Sequence, residues 1–591
     1  MATLPENSPN LPSPGQSLAS TGPKPLTMVW ILIGLGILAY WNSLSVPFLL
    51  DDILWIRDNR QIDKLWPPLD WRRPFGFWTF QLQHALHGTS IVMLHVVNLA
   101  IHITNGVLLA AIASRLLALQ TLSIPLQKHA RQVALAIAAI WLVHPLATAG
   151  VTYTVQRLES LMALFYLLGI FSLLKSQESK NPMPWKVLLF LSFLLGIGTK
   201  ENIATLPFVL CLIDWAFLTR SLSTTLKTRG LFYASLFLPL VWMAWVLRGT
   251  AQANDYYQAG FGYDGYSPLA YLKTQASVLV HYLRLAFWPD RLVFDYAWPI
   301  ETNPLKIYLP GLVVLALLAL SLWALVRRPT IGVLALSFFL ILAPTSSFMP
   351  INDIAAEHRM YLPLMIVVGL VVAVVAHLLF VSSPDTSPTA SARWAFIALV
   401  LMLTLRTVLR NHDYSSPMRL WRTVIAAAPH NGRAHTTLSL LLSAEAEHLE
   451  KQGDPAKAAL REEEALAELD EAMKVAPHYY QAFQRRADIY AKSQQYEKAL
   501  ALYDQAISIH PTYLRAWHHR AMTLVGLTRY DDAIASLQEV DRLQKQQRNN
   551  YLDVEKMIAQ IEQIRTKKAA EATSKVSSAT ASPPSAEAAA K

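Results

Sequence analysis

Apolar residues run without a charged interruption from Pro25 to Leu50, 26 positions in all. That is more than the roughly 20 needed to cross about 30 Å of hydrocarbon. The run predicts a transmembrane helix over 28–49, with Asp51 and Asp52 emerging just beyond the apolar slab. Further uncharged runs predict spans at 90–113, 132–152, 158–174, 184–199, 202–219, 230–247, 308–326, 330–348, 362–381 and 394–409, about eleven in total. The run at 184–199 keeps only 13 uncharged residues after Lys186, and 394–409 contains Arg406. Both depend on long basic side chains reaching back to the interface. The stretch 268–288 is apolar enough to imitate a span, yet His281, Tyr282 and Arg284 suit an amphipathic helix lying at the membrane surface.

After Arg410 the pattern changes. Charged residues become frequent and the long apolar runs stop, which predicts a second, soluble domain. From Tyr480 to Pro511, Phe483, Ala487, Tyr490, Tyr496, Ala499, Tyr503 and Ala506 fall at the spacings of a 34-residue tetratricopeptide unit. A second unit starts at Leu514 with Trp517, Ala521, Tyr530 and Ala533, and Ala465, Leu469 and Ala472 fit an earlier one. Small alanines let paired helices approach while aromatics fill the groove between them. The predicted fold is therefore all-α: a polytopic membrane helix bundle followed by an α-solenoid of repeats. Its expected parts are a disordered cytoplasmic N-terminus (1–25), a membrane domain (26–412) with large extracytoplasmic loops at 50–90 and 249–307, repeats over 413–562, and a disordered tail over 563–591.

Composition adds an orientation. The chain is 53% hydrophobic and 16% charged, against about a quarter charged in soluble domains. Its net charge of +10 comes from basic residues scattered over short loops, which points to membrane topology and away from nucleic acid. With the N-terminus in the cytoplasm, Arg115, Lys128, Arg131, Lys175, Lys180, Arg220, Lys227, Arg327, Arg328 and Arg393 fall on the cytoplasmic side, as the positive-inside rule requires. Asp51, Asp52, the loop 249–307, the segment Asp353–Arg359 and the repeats then share the opposite compartment. The single Cys211 lies in an apolar run and carries no disulfide information.

The charged groups on that far side hold two ingredients of group transfer from a phosphate carrier. A hydroxyl nucleophile needs a carboxylate to take its proton, and a departing phosphate needs basic side chains or a divalent cation. Asp51 or Asp52 could be the base; neighbouring residues point in different directions, so one is expected to act and the other to orient or bind metal. Arg73, Arg157, Lys200, His358 and Arg359 are the phosphate candidates. In the second apolar run His95, Asn98, His102 and Asn105 recur at spacings of three, four and three on one helix face. They either hydrogen-bond neighbouring helices or line a cavity. The two histidines are two turns apart with no third ligand evident, which argues against a metal between them.

Taken together, Phe48 to Asp52, Arg73-Pro74-Phe75, the His95/Asn98/His102/Asn105 helix, His144-Pro145, Gln156-Arg157, Lys200-Glu201-Asn202 and Glu357-His358-Arg359-Met360-Tyr361-Leu362-Pro363, followed by repeats, resemble the transmembrane and tetratricopeptide-repeat O-mannosyltransferases and their bacterial relatives. These are similar to the wider protein O-mannosyltransferase group with the GT-C membrane fold. The resemblance implies an inverting transferase that uses a polyprenyl-phosphate sugar, with the acidic pair at its site and Ser or Thr hydroxyls of proteins as acceptors. Glu201 and Glu357 enter the site through the matching motifs. His358 stands where the commoner animal pattern has Arg, with Arg359 one place on. The short repeat array looks bacterial and implies a protein of the inner membrane, with loops and repeats in the periplasm and lipid around its spans. A non-catalytic scaffold whose repeats recruit partners for envelope assembly is the rival reading. A transporter would put charges near the bilayer midplane and show internal symmetry, and neither is visible.

Overall fold

A computed structural model of the chain describes residues 22–251, 265–381, 388–547 and 552–580. Most of the expected N-terminal disorder (1–21), part of the 249–307 loop (252–264) and the end of the tail (581–591) lie outside the described residues. Those described are helical, with no β-strand among them. They form two compact units that divide at Ala427.

The first unit opens with α1 (Pro25–Tyr40), α2 (Pro74–His87), α3 (Ile91–Leu117), α4 (Ile124–Lys128), α5 (Ala130–Leu142), α6 (Ala149–Thr152) and α7 (Arg157–Glu178). It continues with α8 (Met183–Ile197), α9 (Leu206–Ile213), α10 (Leu222–Ser235), α11 (Phe237–Ala251) and α12 (Pro268–Phe287). It closes with α13 (Pro304–Arg327), α14 (Pro329–Leu342), α15 (Pro363–Phe380), α16 (Ala390–Asp413) and α17 (Pro417–Ala427). Seven helical stretches among the described residues are long and apolar enough to cross a membrane, or eight if the bent pair α5 and 145–152 is one span. Length and composition thus carry fewer spans than the eleven expected. The helices at 183–197 and 329–342 are apolar but short, and the 230–247 run breaks near Leu236 between α10 and α11.

Each departure has a local cause. The predicted span 132–152 bends by 55° at His144-Pro145, where proline has no N–H to continue the ladder and the His144 ring instead accepts from Leu146 N–H. The segment 201–219 changes from 3-10 to α to π geometry around Pro207. By contrast α13 continues through an interior Pro310, and its outward residues Leu305, Leu309, Leu312 and Leu315 are all more than 60% exposed, a face made for lipid.

Helix α12 is amphipathic, as predicted. Its inner stripe mixes apolar residues with hydrogen-bonding ones: Tyr271 donates to Thr345 O (2.6 Å), Gln275 to Ile354 O (3.0 Å) and Tyr282 to Ala356 O (2.9 Å). The loop that leads into Glu357-His358-Arg359 is therefore held by a helix some 75 residues upstream. Helix α2 is held in a similar way, because Phe75 and Gly76 both donate to Gly198 O (2.8 and 2.9 Å). Gly76 is needed there: a Cβ would lie 2.4 Å from Leu158 and 3.3 Å from the Thr199 backbone.

Helix α17, assigned to the repeats by sequence, packs in the first unit. Leu420 and Trp421 are buried with Tyr414, and Phe294 lies edge-on to Trp421 at 5.8 Å.

The second unit is a series of helical hairpins: α18 (Gly432–Lys451) with α19 (Pro455–Val475), α20 (Tyr480–Lys492) with α21 (Tyr496–Ile509), and α22 (Leu514–Gly526) with α23 (Tyr530–Gln546). The repeat alanines Ala465, Ala472, Ala482, Ala487, Ala499, Ala506, Ala521 and Ala533 are all fully buried at these crossings. Helix α24 (Val554–Thr580) closes the array by packing Val554 and Ile561 on Leu537, Val540 and Leu543. The expectation of disorder from 563 onward is corrected by this helix, which runs unbroken to Thr580. Ala, Glu, Lys and Gln dominate it and are good helix formers, and its first turns are anchored by packing.

In the first hairpin the buried ring of His435 lies between Glu468 Oε2 (2.6 Å) and Pro429 O (3.1 Å). Both ring nitrogens face acceptors, so both carry protons. Burial works against that charge, but the Glu468 carboxylate, the Pro429 carbonyl and nearby Glu471 together outweigh it and hold the imidazole above its ordinary value of 6.5. Such a group adds stability that is fully present below pH 6.5 and lost as pH rises through the higher folded value.

Two measurements check this picture. Gly76→Ala should lower the thermal midpoint of the detergent-solubilised protein by the equivalent of about 1–3 kcal/mol. Gly34→Ala, where a Cβ meets nothing within 4 Å, should leave it unchanged. Amide protection in α18 and α19, corrected for intrinsic exchange, should fall as pH rises above about 6.5, and His435→Gln should flatten that dependence.

Candidate functional site

The chain leaves α1 through a 3-10 turn at Trp41–Ser43 and runs extended to Leu50. Leu50 is left-handed (φ 37°), a conformation that costs a non-glycine residue on the order of 1–3 kcal/mol. The bend separates the two neighbouring carboxylates. Asp52 is fully buried, its Oδ2 accepting from Leu49 N–H (3.1 Å) and its Oδ1 from Val155 N–H (2.7 Å). Asp51 is exposed, and its backbone N–H donates to the Tyr153 hydroxyl beneath it (2.9 Å). Burial pushes the Asp52 carboxyl up to about 8, against the pull of its two N–H donors.

The polar face of α3 is spent on neighbouring backbone. His95 Nε2 contacts Val46 O (2.8 Å), while Asn98 donates to Val151 O and Thr154 O (3.2 Å each). His102 Nε2 donates to Leu142 O (2.9 Å), which leaves Nδ1 to accept from the Tyr361 hydroxyl (2.7 Å). Asn105 donates to Ser160 O (2.8 Å) and to the same hydroxyl (3.1 Å). All four are buried and each makes at least one contact to a neighbouring protein group, with His95 Nδ1 and Asn105 Oδ1 left without a partner.

Arg157, fully buried, belongs to this lattice. It donates to Asn98 Oδ1 (2.7 Å) and Leu94 O (3.1 Å) and lies over the Phe80 ring at 4.2 Å. Glu357 and Arg359 are committed too. Glu357 accepts from Val293 N–H and Tyr296 OH and pairs with Arg410 at 3.3 Å. Arg359 donates to the carbonyls of Thr345, Ile354 and Asp353.

A different set lies at helix ends, partly exposed at Arg73, Glu201 and His358 and buried at Lys200 and Glu159. Arg73, at the start of α2, forms two parallel bonds to Glu201 (3.0 Å each), and both side chains are about a third exposed. Lys200 next to it pairs with Glu159 at 2.7 Å. His358 is half-buried. Burial first, then the charges of Lys200, Arg359 and Arg73, hold its imidazole well below the ordinary value, so it is neutral at pH 7. These five residues come from α2, α7, the 200–201 turn and the 357–360 turn, and only the docking of α2 on Gly198 aligns Arg73 with Glu201. Two basic groups, each with a partner carboxylate, can receive an anion by exchanging that carboxylate for it; the Lys200 ammonium also has further N–H donors beyond the one its pair uses. Among the described residues no three His, Cys, Asp or Glu side chains converge as metal ligands. The carboxyl group of Asp52 is turned inward onto two N–H groups.

The sequence reading missed Tyr153, which supports the Asp51 backbone, Glu159, which holds Lys200, and Arg410, which holds Glu357. Arg410 directly follows the last apolar run, where an arginine reads as an ordinary helix-end anchor, so the signal for it was weak.

The comparisons with known proteins agree with this architecture. Residues 491–561 match the tetratricopeptide-repeat family model. Protein O-mannosyl-transferase TMTC3 of Mus musculus is 26% identical over 206 residues, 32% of this chain and 21% of that protein. Protein O-mannosyl-transferase F38B6.6 of Caenorhabditis elegans is 23% identical over 453 residues, 70% of this chain and 59% of that protein. The chain resembles the transmembrane, repeat-bearing protein O-mannosyl-transferases. Its alignments cover about a fifth of the mouse relative and three fifths of the worm one. The all-helical fold, the apolar spans and the terminal repeats make it an integral membrane protein with a repeat domain.

Removing the Asp52 carboxylate tests its structural part. Asp52→Ala leaves two buried N–H groups without acceptors and should cost about 1–3 kcal/mol for each, read as a lower thermal midpoint. An acid whose folded value is raised loses stabilising effect as it ionises. Wild-type stability should therefore decline as pH rises from 3.8 to about 8 and level off above that, and Asp52→Asn should remove that slope.

Proposed function

We propose that this protein transfers a sugar, mannose by the names of its relatives, from a polyprenyl-phosphate carrier to Ser or Thr hydroxyls of extracytoplasmic proteins. The division of the acidic pair carries the reading: one carboxylate is exposed on a strained bend, and the other is buried and fully bonded.

Asp51 acts as the base. It takes the proton of the acceptor hydroxyl as the oxygen attacks the anomeric carbon from the face opposite the phosphate, and inversion follows from that geometry. The bond from the anomeric carbon to the phosphate oxygen breaks, and polyprenyl phosphate leaves with the electron pair. Lys200 and Arg73 offset the charge that grows on the departing oxygen, each drawn from a carboxylate that already orients it. Neutral His358 beside them supplies a hydrogen bond to the phosphate. Asp52, Arg157, Glu357 and Arg359 keep the loops in place. A bacterial inner membrane with these loops on its periplasmic side fits the distribution of basic residues, and the repeats hold the acceptor protein.

Purified protein in lipid vesicles, supplied with polyprenyl-phosphate mannose and a Ser/Thr peptide, should glycosylate the peptide. Asp51→Asn should lower the rate by about 10²- to 10⁴-fold with an unchanged thermal midpoint. Full transfer by that variant would remove Asp51 as the base. Absence of transfer by the wild type with every lipid-linked sugar tried would favour the scaffold reading.

A further inference from the structure

The second unit carries a concave site of its own. Between α18, α20 and α22 lies a cavity of about 140 Å³ lined by Thr437, Tyr479, Gln481, Arg485, Tyr513 and Arg515 among others. A cavity of about 150 Å³ accepts a benzene-sized group, so this one has room for a single side chain. No Asp or Glu is in its wall.

Its two guanidinium groups are differently placed. Arg515 is exposed and makes no ion pair with any described residue. Arg485 has Asp488 at 3.6 Å, beyond hydrogen-bond reach. That carboxylate is already occupied by Tyr503 OH (2.7 Å), His519 Nδ1 (2.6 Å) and the Gln484 amide. Its saturation leaves the Arg485 fork with unused donors. Tyr513, whose hydroxyl donates to Gln484 Oε1 (3.1 Å), lies in the field of both arginines. Gln481, also in the wall, has a buried Oε1 with no hydrogen-bond donor. Two cationic forks, aromatic rings and a lone carbonyl match an extended polypeptide with a carboxylate side chain and a free amide N–H. They match a sugar or an apolar helix less well.

We propose that this groove selects acceptor polypeptides through an Asp or Glu side chain placed between Arg485 and Arg515. The proposal rests on the acceptor role given to the repeats above, and it narrows the substrate to segments in which an acidic residue lies near the modified hydroxyls.

The full-length protein in detergent is titrated against two fluorescein-labelled, C-terminally amidated peptides of about ten Ser, Thr and Ala residues, one with a central Glu and its twin with Gln. The Glu peptide should bind at least about tenfold more tightly, as charge-assisted contacts of this kind allow. Arg515→Gln should bring the two peptides together, and Arg515→Lys should restore part of the difference. Arg515 is exposed, so these variants are expected to fold. Equal binding of the twins to the wild type, or a preference that survives Arg515→Gln, overturns the proposal. Binding is read without any sugar donor, so a failed transferase reading shows separately, as absent transfer with the peptide preference intact.

Discussion

The carboxyl group of Asp52 bridges two backbone N–H groups, Leu49 and Val155, that lie more than one hundred residues apart, and the placement of Asp51 depends on that bridge. An apolar bundle offers its polar groups no water, so each must find a protein partner or cost several kcal/mol. The loop after α1 answers this by handing Asp52 to the turn before α7 and the Val46 carbonyl to His95. What remains outside, Asp51, is exposed because everything around it is tied down.

The same rule sorts the rest of the charged residues. Arg157 inside the bundle donates to Asn98 and Leu94 and lies over the Phe80 ring, with its Nη1 left without a partner, and Glu357 is held by Arg410, Tyr296 and Val293. Arg73 and His358 lie at helix ends and are partly exposed, and the Arg73–Glu201 pair can exchange a partner for a ligand; Lys200, beside Glu201 in the chain, pairs with Glu159 out of water. A motif residue can thus be indispensable without touching substrate, and the buried members of these motifs are of that kind.

The second unit solves a different problem with different means. Its helices meet through buried alanines rather than through polar lattices, since water satisfies the outward groups and hydrophobic burial suffices to hold the hairpins. That economy leaves charged side chains such as Arg515 free on the inner wall, whereas the membrane unit binds nearly every buried charge it contains. Hairpin spacing was legible in the sequence because each repeat contacts its neighbours, so pattern and contact lie within one 34-residue period.

Some properties were determined by the chain's own order of residues. Long uncharged runs dictate helices, because nothing else satisfies the backbone in lipid, and the alanine and aromatic spacing dictates repeats. The polar stripe of α3 was visible as a stripe, since helical periodicity is local. Which carboxylate faces outward was not: it turns on the left-handed Leu50 and on the Val155 N–H, a partner 103 positions away. Nor could order alone show that α17 joins the membrane unit through Phe294, that 132–152 bends, or that Arg73 meets Glu201 across 128 residues. Periodicity records how a segment presents its faces; pairing between distant segments is chosen only when the whole bundle closes and each buried donor must take the acceptor that packing brings to it.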